Sequence, residues 1–292
     1  MEDNYLENDI NINSSSKLDF VKRLFLNKAA IFGAMVILIL IIAAIFAPAI
    51  APYPYDAINL PDMLKSPNAE NLFGTDEFGR DIFSRIVYGS RVSLQVGFFA
   101  VGISLIIGTV FGALAGYYGG IVDYIISGIT DIAWSFPVSL LAIAFVAALG
   151  PSLSNLIIAV AVVSWSGYSR LIRGQFLSLR EQEFIEAARA LGMSDMRIIF
   201  RHILPNAMSP IIVLTTLEVP KAIIVEATLS FLGLGAQPPT PSWGSIMSAG
   251  RSYILEAPWV SFFPGMMMAL VVLGFNLFGD ALRDTLDPRL KD

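Results

Sequence analysis

The chain has 292 residues, of which 55% are hydrophobic and only 15% charged, with a mean hydropathy of +0.67. A soluble domain carries about a quarter charged residues, so this is the composition of a membrane protein. The net charge of -5 gives no sign of nucleic-acid binding, and the absence of cysteine excludes disulfides, thiolate metal sites and cysteine nucleophiles.

Residues 1–28 are polar and are read as a cytoplasmic N-terminal segment. Residues 1–16, rich in Asn, Ser and acids, lack an apolar period, which predicts disorder. Lys17, Lys22, Arg23 and Lys28 then form a basic approach to a membrane. The first apolar run, residues 29–51, ends in Ala49-Ile50-Ala51, which is like a signal-peptide cleavage site. At about 23 residues it exceeds the ~7–15 of a signal core, and it follows a long polar stretch, so it is read as a retained span.

Five further spans are expected at 90–117, 121–149, 153–172, 208–232 and 259–279, each near the ~20 residues that a bilayer needs. The fold class is therefore all-α, a polytopic membrane protein with six transmembrane helices. The third span is overlong and holds Asp123 and Asp131 near its start; Ile132 to Leu149 is long enough to cross alone. Residues 52–89 are read as extracytoplasmic, 173–207 as a cytoplasmic loop and 281–292 as a cytoplasmic tail.

Lys and Arg counts orient the chain. With the N-terminus inside, the inner segments hold 4 (residues 1–28), 6 (170–207) and 3 (280–292), against the outer Lys65, Arg80, Arg85 and Arg251. Both termini are expected in the cytoplasm. Asp76 to Arg91 mixes charges with Phe78, Ile82, Phe83, Ile86 and Val87, a pattern for an amphipathic helix at the outer interface. Trp243 and Trp259 suit an outer aromatic belt, and Met266 to Met268 suit gap-filling.

Charge in lipid costs about 2.5–3.5 kcal/mol at mid-membrane, so Glu218, Lys221 and Glu226 of the fifth span must face protein or water; Asp131 of the third span is weighed with them. Glu218 and Lys221 share one helical face, and Pro220 between them is expected to bend the helix. These four residues are candidates for a pathway, or else form internal pairs or contacts to a partner subunit. No Gly-Lys dipeptide occurs, so there is no standard phosphate-binding loop and no catalytic residue is assigned. The lone His202 has no second His or Cys with which to build a metal site.

One polar stretch stands apart: "EFIEAARALGMSDMRIIFRHILPN", Glu183 to Asn206, between two apolar runs. Phe184, Ala187, Ala188 and Leu191 recur at helical spacing beside Glu186 and Arg189. Gly192 stops this helix, Ser194 is a good N-cap for the next with Asp195 in its first turn, and Pro205 is expected to end it. Ile198, Ile199 and Ile203 give the second helix its stripe. Two short helices with a glycine elbow can present a knob to a soluble partner; a helix lying on the bilayer is the alternative, but so short a stripe binds lipid weakly.

Glu186-Ala187-Ala188, Gly192 and Leu204-Pro205 resemble the "EAA" loop of ABC importer permeases. The wider text, with "FGTDEFGRDIFSRIVYGSRVSL", "LSFLGLGAQPPTPSWG" and "FNLFGDALRDTLDPR", resembles the C-type subunits of the dipeptide and oligopeptide branch. His202 departs from the general loop consensus, and Asn71 stands where relatives often have His. The resemblance implies a type-1 permease domain over 90–280 and an ATPase-coupling role for Glu186, Ala187, Ala188, Arg189, Gly192, Leu204 and Pro205. It implies a second homologous permease, two ATPase subunits that bind ATP and Mg, and an extracytoplasmic solute-binding protein as partners, with no cofactor in this chain. Short peptides are the implied cargo; nickel chelates, glutathione and other oligomers are carried by similar proteins. An ion-coupled secondary transporter using Asp131, Glu218 and Glu226, or a membrane scaffold, are the rival readings.

Overall fold

The computed structural model describes Leu24 and residues 26–286. Residues 1–23, with Lys17, Lys22 and Arg23, and residues 287–292 lie outside the described residues. Among the described residues there is no strand, only a bridge between Thr75 and Asp81. Five helices are long and apolar enough to cross a membrane, six if one bent pair is counted as a span.

Helix α1 (Lys28–Ile45) is capped by Asn27, whose side chain accepts from the Ala29 and Ala30 amides. It stops at Phe46, just ahead of Pro48, and a single turn (Ala47–Ile50) follows. Helix α2 runs without a break from Ile82 to Tyr118. It therefore begins well before the expected residue 90, and the separate interfacial helix over Asp76 to Arg91 does not exist. The reason is local: Asp81 caps α2 by accepting from the Ser84 amide and hydroxyl, both at 2.7 Å. Ahead of it Gly74 and Gly79, with φ of +75° and +70°, fold the charged residues onto one another. Asp76 accepts from the Phe78 and Arg80 amides and pairs with the Arg80 guanidinium at 2.7 Å. Asn71 donates to Asp81 at 3.0 Å.

The expected third span is two helices, α3 (Gly120–Trp134) and α4 (Val138–Leu149), bent by 89°. Pro137 has no amide proton and drives its predecessor out of helical geometry, which ends α3 there. Helix α5 runs from Leu153 to Arg180, beyond the expected 172, and α6 covers Glu183–Ala190. Helix α7 (Met208–Phe231) continues through Pro220 without interruption. Helix α8 (Trp243–Gly250) opens on a reciprocal cap between Ser242 and Ser245, and α9 is Trp259–Leu286.

Two cores hold these helices. The larger joins α2, α4, α5, the 183–206 segment and α7. The smaller joins α1, the first turns of α2, α8 and α9 around Trp243. Trp243 is buried and its indole donates to the Ile86 carbonyl at 3.0 Å, so it belongs to the core and not to an aromatic belt. Trp259 donates to Thr75 at 3.2 Å and pins the 52–81 crown to α9. Met267 and Met268 pack against the smaller core, whereas Met266 is exposed.

The most extensive helix contact lies between α2 and α5, which run parallel. Gly108, Gly112 and Gly116 meet Tyr168, Ile172 and Phe176 in turn, three side chains with no exposed surface. A Cβ on Gly112 would sit 2.6 Å from the Ser169 carbonyl oxygen. Small residues at every fourth position are what let two backbones approach so closely within a membrane. A Gly112→Ala change should cost about 1–3 kcal/mol by overpacking, and Gly112→Leu should abolish the folded protein. At Gly102, where nothing lies within 4 Å, Ala should be neutral. Melting of the detergent-solubilised protein, followed by size exclusion, measures the contrast.

Candidate functional site

The chain leaves α5 through Glu181 and Gln182 and enters α6, with Glu183 and Glu186 in the first turn and Arg189 in the last. That order suits the helix dipole. Gly192 then takes a φ of +74°, and nothing lies within 4 Å of a Cβ added there. The requirement for glycine is thus one of backbone conformation and not of space. The elbow is closed by the Gly192 amide on Arg189 (2.9 Å) and the Met193 amide on Ala188 (3.2 Å). Ser194 occupies the N-cap position, as expected, but its side chain makes no capping hydrogen bond.

A single turn (Asp195–Ile198) passes into a π turn over Ile199–Ile203, where the Leu204 amide reaches the Ile199 carbonyl. Pro205 does not end the helix, contrary to expectation. It sits in a further turn (Leu204–Asn206) that leads through Ala207 into α7. The wider π turn moves the backbone away from the proline ring, which a tight α-helix would clash with four residues back. His202 lies in this turn, where its carbonyl accepts from Asn206 at 2.6 Å.

The stripe divides differently from the expected pattern. Ile185 and Ala188 face inward on the larger core, with Ile198, Ile199 and Ile203. Leu204 packs on the same core, while Pro205 is exposed. Ala188 therefore offers nothing to the outside. The outward surface carries Ala187, Glu186 and Arg189 with Phe184, Leu191, Met196 and Phe200, the last three each more than 60% exposed. Met196 and Phe200 were not singled out from sequence, because the π turn shifts the helical register on which such a stripe is read.

The segment is tied to the end of α2. The buried Tyr117 donates its hydroxyl to Asp195 at 2.7 Å, and the Arg189 guanidinium lies 5.6 Å from the Tyr117 ring centre. Arg180 donates to the Gly116 and Tyr117 carbonyls at 3.1 and 3.4 Å, filling orphan acceptors at the helix end. None of these contacts is written in local sequence, since the partners are more than 60 residues apart.

The four candidate pathway residues separate into three places. Glu218 and Lys221 pair at 2.7 Å on α7 and line a cleft of about 430 Å³ with Trp134, Ser139, Ser164 and Ser166. Lys221 is 65% exposed there. Asp131 lies on α3, paired with Arg170 of α5 at 2.5 Å, and Arg170 stacks over Trp134 at 4.1 Å. Asp131 and Arg170 line a second cleft of about 330 Å³ with Arg173, which is paired with Asp123. Glu226 is fully buried, accepts from Ser230 at 2.6 Å, and lines neither cleft. It is seated inside the protein, away from both clefts.

Residues 108–292 match the family described as binding-protein-dependent transport system inner membrane component, and residues 18–67 match the N-terminal TM domain of oligopeptide transport permease C. The chain is 56% identical over 270 residues to the dipeptide transport system permease protein DppC of Alkalihalophilus pseudofirmus, covering 92% of this chain and 89% of that protein. It is 49% identical over 279 residues to the glutathione transport system permease protein GsiD of Escherichia coli O157:H7, covering 94% and 90%. In fold it is similar to the MetNI methionine ABC transporter in inward-facing conformations, with a TM-score of 0.56 at 21% identity over 70% of this chain and 96% of that one.

The clefts and the buried carboxylate predict different reactivity. Because the chain has no cysteine, single replacements carry no background. Lys221→Cys and Ser164→Cys should react with a charged, membrane-impermeant thiol reagent added to detergent-solubilised protein, while Ala227→Cys beside Glu226 should not. Mass spectrometry of the labelled chain reads the outcome, and an inert Lys221→Cys would remove the cleft from consideration.

Proposed function

Since the chain belongs to the family of binding-protein-dependent transport system inner membrane components, we propose that it forms half of the translocation pathway of an ATP-driven importer of short peptides. A second, homologous permease completes the pathway as a heterodimer. Two ATPase subunits, which carry the ATP and Mg, dock on the 183–206 segment, and a solute-binding protein delivers cargo to the opposite face. The chain sits in the cell membrane with both termini in the cytoplasm, so that the segment is inside and the 52–81 crown outside. This chain does no chemistry itself; hydrolysis belongs to its partners.

The observation that carries this reading is the segment itself. Outside the spans, it carries the large apolar side chains of Leu191, Met196 and Phe200 in the open beside a charged flank. Exposed apolar surface of that kind marks a protein contact. Short peptides as cargo are supported by the names of the two relatives, one a dipeptide permease and one a permease for glutathione, itself a short peptide. Glutathione is the second reading for the same reason. A cleft with an exposed ammonium and a carboxylate at its wall, lined otherwise by Trp134, serines and aliphatic groups, suits peptides that differ in side chain. Asp131 and Glu226 as ion-coupling sites have no support, one being paired with Arg170 and the other sealed against Ser230.

Reporter fusions test the orientation: those at Leu60 and Gln237 should read outside, and those at Ser194 and Lys291 inside. An outside signal at Ser194 would end the proposal. Coupling is tested at the elbow and the flank. Forcing a side chain into the left-handed conformation at Gly192 costs about 1–2 kcal/mol, so Gly192→Leu should distort the elbow while the spans fold. Gly192→Leu and Glu186→Lys should each reduce uptake strongly, with ATPases that either detach or hydrolyse without transport. Uptake, co-purification and ATP turnover on the same complexes decide it; normal transport in both variants would make the segment a mere connector.

A further inference from the structure

Taking the 183–206 segment as the site that receives the ATPases, we propose that Tyr117 is a positioning residue for transport. Its hydroxyl bond to Asp195 bridges the Gly192 elbow and makes the segment move as one body with α2 and α5.

The argument begins with what the segment lacks. Its first helix is joined covalently to α5 and anchored by Ile185 and Ala188. Beyond Gly192 the chain is held by Ile198, Ile199 and Ile203 on the same core, an apolar contact that has no direction of its own, and the left-handed glycine itself adds no steric stop. On its far side the segment joins α7 through a π turn, a wide and poorly bonded form of helix. Apolar packing resists separation better than sliding, so a push delivered to Met196 or Phe200 is passed on rigidly only where a directional contact also spans a joint.

The Tyr117–Asp195 bond does span the first. Asp195 is the first residue of the turn beyond the elbow, and Tyr117 is the next-to-last residue of α2. The bond closes a ring that runs from the end of α5 through α6, Gly192 and Asp195 back to the end of α2. Three features stiffen the α2 side of that ring. The Tyr117 ring is buried, Arg180 of α5 holds the carbonyls of Gly116 and Tyr117, and Gly116 is seated on Phe176. From this point α2, 37 residues long in all, runs unbroken to the crown, where Trp243 and Asp81 fasten its first turns. Displacement of the segment is thereby delivered to both faces of the molecule together.

The test uses the full complex, with its ATPases and binding protein, in liposomes, and measures uptake and ATP hydrolysis on the same vesicles. Tyr117→Phe removes one oxygen and keeps the buried ring. It should leave the ATPases bound and hydrolysing while substrate moved per ATP falls roughly fivefold, a size normal for a lost coupling contact. Asp195→Ala, a surface change that leaves α2 untouched, should fall equally. Asp195→Asn, which retains an acceptor oxygen, should restore the ratio. The Tyr117→Phe, Asp195→Ala double variant should be no worse than either alone, as befits one shared contact. An unchanged ratio in Asp195→Ala, or additive losses in the double variant, would overturn the proposal, and Asp195→Ala decides the matter alone if Tyr117→Phe does not assemble. If Gly192→Leu blocks transport while the Tyr117 and Asp195 variants are normal, only the bridge is wrong. If all are normal, the coupling assignment itself has failed.

Discussion

Helix α2 can lie against α5 only because three of its residues have no side chain. Gly108, Gly112 and Gly116 receive Tyr168, Ile172 and Phe176, and each glycine Cα stands where even a methyl group would strike backbone. In a lipid environment there is no solvent-driven collapse to press helices together, so contact of this kind supplies much of the association. Its direction matters as much as its strength. The two helices are parallel, hence both C-terminal ends arrive at the same level, and the 183–206 segment can rest on Tyr117, Phe176 and their neighbours at once.

The same economy governs charge. Arginines that lie within helices serve the backbone of other helices. Arg91 donates to the Ala44 and Ile45 carbonyls at the end of α1, and Arg180 does the same for α2. A cation at a helix C-terminus is favoured by the dipole and satisfies acceptors that would otherwise be orphaned in an apolar surrounding. Arg170 and Arg173 instead neutralise Asp131 and Asp123 of α3 across to α5. Against that background the Glu218–Lys221 pair stands out, since its ammonium stays open to a cleft.

Much of this was legible in the sequence, and the failures have physical causes. Span number and all-helical class follow from apolar length, which is a property of each segment alone. The Gly192 elbow is legible because a left-handed residue is a local demand. The start of α2 was misplaced because Asp76 to Arg91 carries enough charge to pass for an interfacial helix. The charges are in fact spent on one another and on Ser84, Asn71 and Tyr55. Trp243 was misread because a tryptophan near a span end looks the same whether its indole meets headgroups or, as here, the Ile86 carbonyl. Glu226 and Glu218 are alike as letters, and only the packing of α7 seats one against Ser230 and the other at a cleft.

The bend between α3 and α4 has a consequence for what surrounds it. Twelve residues of helix reach about 18 Å, well short of the ~30 Å hydrocarbon layer, so α4 cannot cross unaided. Counted as one span, the pair is two pieces joined at residues 135–137. There the last carbonyls of α3 and the first amides of α4 lose their helical partners, apart from the Ser135 amide, which returns to Asp131 and Ile132. Acyl chains offer nothing to such groups. Trp134, Val138 and Ser139, which flank the joint, are also wall residues of the larger cleft. Wherever such a joint meets the hydrocarbon layer, the backbone's own hydrogen-bonding demand requires that side of the molecule to be shielded from lipid, whatever passes through it.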